Sequence, residues 1–146
     1  MNAIHEFVFV VPAEAMDENG HANNVEYVRW MQLAAISHAD AVGCSAATRD
    51  AGASWVVRTH HVEYLRPVFS GQEITIKTWV STMKKSSSLR KYLFLRGEEQ
   101  IARGETVWVF VQAQTGRPRP IPGAVSSLFQ LVGPENEPFL AKETLL

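Results

Sequence analysis

Hydrophobic and polar positions change their spacing several times along the chain. Phe7-Val8-Phe9-Val10-Val11 is an unbroken β-branched and aromatic run stopped by Pro12, which predicts a short, largely buried first strand. From Asn24 the spacing becomes helical. Val25, Val28, Met31 or Gln32, Ala35 and Ile36 recur at three- and four-residue steps, predicting an amphipathic helix of about four turns. Asn23 or Asn24 supplies an N-cap carbonyl for an orphaned amide, and Gly43 supplies the C-terminal stop. Small residues on this helix, Ala34, Ala35, Ser37 and Ala39, would let another element approach closely.

Residues 44–54 are rich in Gly and Ala and read as a connection. Extended patterns follow. Residues 55–65 form one strand closed by Arg66-Pro67, and Ser70-Gly71 marks a turn. Ile74, Ile76, Thr78 and Val80 then alternate with Glu73, Thr75, Lys77 and Trp79, the period of a strand with one main buried face. Residues 83–87 are a polar connection, 89–95 a further strand, Gly97-Glu98-Glu99 a turn, and 100–113 a long last strand around Val107-Trp108-Val109-Phe110-Val111. Residues 115–120 carry Gly116, Pro118 and Pro120 and read as loop, while 122–131 predicts a short terminal helix with Pro122 in its first turn.

One strand, one long helix and four strands on short links define an α+β fold: a five-stranded antiparallel sheet wrapped on a helix. The 146 residues are 46% hydrophobic and read as a single domain over 1–146, with a core from about 5 to 130 and a tail after the terminal helix. A sheet covered on one face leaves edges to protect, so a homodimer is expected.

Charge and cysteine content narrow the partners. Fourteen basic against fifteen acidic residues, net charge −1, give no global field toward nucleic acid or an anionic membrane. Cys44 is the lone cysteine, with no disulfide partner and no zinc-type spacing around it, which fits a reducing cytoplasm. The first eleven residues lack the basic start and long apolar stretch of a secretory signal, and no run of about 18 apolar residues exists. The expectation is a soluble cytoplasmic protein with neither nucleic acid nor membrane as partner.

The residues that could carry chemistry lie between the first strand and the helix: Asp17-Glu18-Asn19-Gly20-His21-Ala22-Asn23-Asn24. The first amides of a helix lack internal partners and carry the positive dipole end, so they can hold an oxyanion. A carboxylate on the preceding loop can then act as nucleophile or as general base for water. Capping and turn chemistry select Asp, Asn and Gly at such places without any function. Two adjacent Asn, a His and an Asp within eight residues exceed what one cap needs, but they do not by themselves name a reaction.

Asp17-x-x-Gly20-His21-x-Asn23-Asn24-x-x-Tyr27-x-x-Trp30 resembles the signature of the 4-hydroxybenzoyl-CoA thioesterase-like branch of the hotdog-fold superfamily. His61-Val62-Glu63-Tyr64-Leu65-Arg66-Pro67 with Gly71, and the stretch from Ala102-Arg103-Gly104 to Pro120-Ile121-Pro122, are similar to later parts of that family, so residues 5–130 are covered in the family order. The resemblance implies the hotdog fold, active sites at a dimer interface and hydrolysis of an acyl-CoA or acyl-ACP thioester. It implies Asp17 as base or nucleophile, the Asn24 amide as oxyanion donor and His21 as a supporting residue, with Gly20, Asn23 and Tyr27 shaping the substrate site. Many members differ at the positions of His21 and Asn24, so the acyl group is not implied. Glu26 is a second carboxylate near the site, and equally a first-turn acid that suits the helix dipole.

Other candidates are local. His60 and His61 are strand neighbours and point to opposite faces, so they cannot chelate together, and no metal is expected. His61 is a candidate for the acyl pocket from across the dimer. Lys84, Lys85, Arg90 and Lys91 cluster around the serine-rich connection with Arg66 at a neighbouring strand end, and are candidates for the phosphates of a CoA or phosphopantetheine carrier, or else a solvated basic hairpin. Arg117 and Arg119 are further candidates. Trp55, Trp79, Trp108 and Phe110 read as core or interface, since no Gly-rich βα turn for a flavin or nicotinamide is present, and no cofactor is expected beyond the CoA of the substrate. The assembly is a homodimer or a dimer-of-dimers tetramer. A hotdog dehydratase and a non-catalytic acyl-thioester-binding module are the rival activities.

Overall fold

The computed structural model describes residues 3–139. Residues 1–2 and 140–146 of the expected domain, including the end of its tail, lie outside the described residues. The elements are β1 (His5–Val10), α1 (Asn24–Ala41), α2 (Cys44–Asp50), β2 (Ala53–Tyr64), β3 (Glu73–Met83), β4 (Ser87–Arg96), β5 (Glu99–Gln112) and α3 (Gly123–Ser126). Short 3-10 turns sit at Ala13–Ala15 and Pro134–Asn136. The strands form one antiparallel sheet in the order β1-β3-β4-β5-β2, the α+β architecture expected from the pattern.

Strand register sets the face that meets α1. Thr78, Tyr92, Gly104 and Val62 form one cross-strand row, and Val80, Arg90, Thr106 and His60 form the next. At Gly104 a helix side chain fills the space of the missing one: a Cβ there would lie 2.9 Å from both Sδ and Cε of Met31, which is fully buried. Absence of a side chain, rather than backbone freedom, is what this glycine contributes. Ala34 and Ala35 sit one turn further along in the same buried cluster.

The phase of α1 differs from the expected one. Tyr27, Trp30, Met31, Ala34, Ala35 and His38 are buried, whereas Val25 is 71% and Ile36 53% exposed. Aromatic area decides the rotation, because Tyr27 and Trp30 offer more apolar surface than the valines do. Trp30 packs on Phe9 with ring centres 4.8 Å apart, and Tyr27 on Phe94 at 5.6 Å. Val25, Leu33 and Ile36 are left as an exposed apolar strip.

Two further differences concern short helices. Residues 44–50, expected as connection, form α2, which starts after Gly43 in the left-handed conformation at φ 83°. Seven residues are too few to show a helical period. The terminal helix is only Gly123–Ser126, after Pro122 in extended conformation. Beyond it the chain crosses the outer side of the sheet. The Val132 amide donates to the Val80 carbonyl at 3.0 Å, Trp79 Nε1 donates to Glu137 at 3.3 Å, and Lys91 pairs with Glu137 at 2.8 Å. Trp79, Leu93 and Val132 form a small cluster beneath this strap.

Candidate active site

The loop from Pro12 to Asn23 is built on its own hydrogen bonds. The Asp17 amide donates to the His21 carbonyl at 2.7 Å and the Gly20 amide to the Asp17 carbonyl at 3.1 Å. Gly20 has φ 78°, a conformation that disfavours a side chain. Asp17 Oδ1 accepts from the amides of Asn19 at 2.9 Å and His21 at 3.1 Å. Oδ2 accepts from no group among the described residues. The loop is anchored by Ala22 N to Val68 O and Asn23 N to Ala15 O, both 2.8 Å.

Asn23, of the two expected candidates, is the N-cap of α1; its Oδ1 accepts from the Val25 amide at 3.0 Å. Asn24 is the first helical residue, so its amide has no intrahelical acceptor. Its carbonyl accepts from the Tyr64 hydroxyl at 3.3 Å, a contact from the end of β2 that the motif did not reveal. Asp17 and Asn23 line one open polar depression with Met16, Glu18 and Asn19. His21 is exposed and meets the Phe69 ring edge-on at 5.5 Å. Glu26 stays in the first turn, 3.7 Å from Arg29.

The other expected site residues are dispersed. Tyr27 is 3% exposed, edge-on to Tyr64, with its hydroxyl pushed up to about 12 by burial first and by Tyr64 second. It lies in the core, in one cluster with Ala15 and Ala22 of the loop, and touches Tyr64. His61 is exposed and pairs in register with Glu105, next to Lys91 and Trp79 on the side of the sheet turned away from α1. His60 faces inward, its Nδ1 2.8 Å from Thr106 Oγ1, so the two histidines do part to opposite faces. Among the described residues no three His, Cys, Asp or Glu side chains converge as metal ligands.

The basic cluster divides four ways, with Lys91 on the outer face beside Glu137. Lys84 and Lys85 are exposed on the β3–β4 turn, which is held by Lys84 N to Ser87 O at 2.7 Å and Ile121 N to Lys85 O at 2.8 Å. Arg66 lies at the opposite end of the strands, where it pairs with Glu99 at 3.0 Å. Arg90 is turned inward and 4% exposed, because strand parity places it with Tyr92 and Phe94 on the α1 side. Its Nη1 donates to His38 Nδ1 at 2.9 Å and to Thr78 Oγ1 at 3.0 Å. Burial first, then Arg90, then His5 push His38 down to about 3, so the ring is neutral and accepts through Nδ1. Its place in the i, i+3, i+4 series 31, 34, 35, 38 was the available signal that His38 is a core residue.

Residues 10–129 match the family model of the thioesterase-like superfamily, and the chain belongs to that superfamily. It is 26% identical over 111 residues to an L-carnitine dehydrogenase/betainyl-CoA thioesterase of Ruegeria pomeroyi, covering 74% of this chain and 22% of that protein. The chain thus spans under a quarter of that relative's length. Among solved structures, the DHNA-CoA thioesterase of Staphylococcus aureus superposes with TM-score 0.75 at 20% identity, over 80% of each chain. A gentisyl-coenzyme A thioesterase superposes with TM-score 0.77 at 20% identity, over 86% of this chain and 99% of that one. The fold is the hotdog fold. No helix among the described residues is long and apolar enough to cross a membrane.

Proposed function

We propose that the protein hydrolyses an acyl-CoA thioester to the free acid and CoA. The observation that carries the reading is Asp17, in a chain of the thioesterase-like superfamily, lining an open depression beside the capped start of a long helix with one carboxylate oxygen uncommitted. The acyl carbonyl sits toward the first amides of α1, Asn24 foremost, which stabilise the negative oxygen formed on attack. Asp17 takes the proton of the attacking water, or attacks directly to give an anhydride that water opens. Either way the carbon–sulfur bond breaks and the thiol leaves. His21 and Asn23 hold the loop shape around this point, and the Gly20 turn presents it.

A homodimer formed along the free edge of β2 completes the reading. Val56 and Tyr64 on that strand are 44% and 45% exposed, and the strip Val25, Leu33, Ile36 is the neighbouring helix surface that needs cover. Antiparallel pairing of two β2 strands reverses their ends and carries Arg66 of one copy toward the Lys84–Lys85 end of the other. These cations then serve the phosphates of the carrier. A second pairing of such dimers would give a tetramer.

The test is release of thiol from a panel of acyl-CoA and acyl-ACP substrates, followed with a thiol reagent and product analysis. Turnover to free acid supports the proposal, and the preferred panel member names the carrier. Formation of an enoyl thioester, or tight binding with no thiol released at any pH, overturns it.

A further inference from the structure

At the end of α1 remote from Asp17, a cavity of about 250 Å³ lies between α1, α2 and the sheet. Ala35, Ala39, Trp55, Met83, Trp108 and Phe129 supply apolar wall, and Arg90 is the charged group on it. Both partners of the guanidinium, His38 and Thr78, are neutral, and both use the same nitrogen, Nη1. Nη2 and Nε have no partner among the described residues, and no carboxylate pairs with Arg90 there. A guanidinium keeps its proton when buried, so the fold holds a desolvated positive charge with no balancing anion. The Phe129 ring, 5.5 Å from the guanidinium carbon, gives it a cation–π contact but no counter-charge. Trp108 Nε1 is a second buried donor without a partner, and the Thr106 hydroxyl is engaged with His60. The Tyr92 hydroxyl, buried beside Trp108 and Thr106, is likewise without a hydrogen-bond partner, but it is neutral and supplies no counter-charge.

We propose that this cavity is a binding site for a compact organic carboxylate with an apolar or aromatic body, its carboxylate seated on Arg90. The charge on the wall selects an anion, and two uncommitted donor nitrogens suit a fork-to-fork contact. The apolar walls select the body: cavities of about 150 Å³ hold a benzene ring, so this one admits an aromatic acid or a short dicarboxylic chain. His38 lies 14 residues along α1 from Asn24, roughly 21 Å at the helical rise. Within one chain the cavity is therefore separate from Asp17. The carboxylate is either a free acid or the far end of an acyl group held at the Asp17 of a neighbouring copy. Only the second source rests on the thioesterase reading.

Calorimetric titration of the full chain with benzoate, adipate and benzamide tests the site without any turnover. Benzoate or adipate is expected to bind at least about tenfold tighter than the neutral amide, which corresponds to about 1.4 kcal/mol. Arg90→Gln should erase the difference. Ser45→Phe, which fills the cavity from half-buried α2 and leaves Arg90 in place, should abolish binding even if Arg90→Gln does not fold. Equal binding of acid and amide, or no binding of either acid, overturns the proposal. Comparing adipoyl-CoA with hexanoyl-CoA then separates the sources: an Arg90-dependent preference for adipoyl-CoA identifies the acyl end, and acid binding without that preference identifies a free acid. If no member of the thioester panel, these two included, is cleaved, the thioesterase reading fails while the calorimetric result stands.

Discussion

Arg90 on β4 donates to His38 on α1 at 2.9 Å, joining sheet to helix through a charged donor and an imidazole that must stay neutral. Protonating the ring removes the acceptor and sets a second cation against the first. The unfolded chain titrates His38 near 6.5 and the folded one near 3, so between these values the unfolded state holds a proton the folded state lacks. The stability that depends on neutral His38 is complete above pH 6.5 and is lost as pH falls toward 3. His5, stacked on His38 at 4.9 Å, and His60 are also lowered, by burial first, and act in the same direction. Urea unfolding at stepped pH should show the decline, with one proton contributing at most about 1.4 kcal/mol per pH unit. His38→Gln keeps an acceptor for Arg90 and does not titrate, so its decline should be shallower. Equal slopes would show that His38 does not govern the acid limit.

Asp17→Asn should lower kcat by about two or more orders of magnitude, because the amide can neither take a proton from water nor attack the carbonyl. The Asn side chain still offers Oδ1 to the amides of Asn19 and His21, so the loop and the melting temperature should be retained. Asp17→Ala removes both and should cost activity and loop order together. Intact thiol release in the Asn variant would remove Asp17 from the mechanism.

Asn23→Ala strips the cap from an 18-residue helix and should destabilise the protein by about 1 kcal/mol. Asn23→Asp, which restores the acceptor and adds a favourable charge at the dipole end, should recover most of that loss in the same thermal melt.

Gly104→Val places carbon where Met31 Sδ and Cε lie 2.9 Å from the first added atom, with Tyr92 Cδ1 at 3.4 Å. Met31 can yield only by moving within a closed core, and a loss of about 1–3 kcal/mol is expected in denaturant unfolding. A neutral result would mean that the flexible end of Met31 swings aside without cost.

Much of this fold was legible because its strands carry either a period-two alternation, as at 73–80, or a compact β-branched and aromatic run, as at 7–11, and several turns carry Gly or Pro, as at Ser70-Gly71 and Gly97. Helix phase was less legible. Counting apolar positions equally gave weight to Val25 and Ile36, whereas Tyr27 and Trp30 determine which side packs. The loop from Asp17 to Asn24 was readable as a local unit, since turn, cap and acid are all encoded within eight residues. Side-chain neighbours that are distant in the sequence were not legible. Lys84, Arg66 and Arg90 look clustered by charge, yet strand length separates the first two and strand parity turns the third inward. The contact of Tyr64 with Asn24 and that of Arg90 with His38 each span 40 residues or more of sequence. No local pattern announces such pairs, although parity and helical spacing mark Arg90 and His38 individually as inward residues.

The strap over residues 130–139 has a practical meaning for where this protein can be cut. The stretch matched to the superfamily stops at residue 129, just before Val132 and Glu137 close over Trp79 and Lys91. A fragment trimmed to that boundary would retain every strand and bare an indole with its N–H unanswered beside Leu93, a sticky spot on an otherwise finished sheet. The portable unit is therefore longer than the shared one, and Trp79 doubles as a built-in fluorescent gauge of whether a shortened or fused version has kept its outer seal.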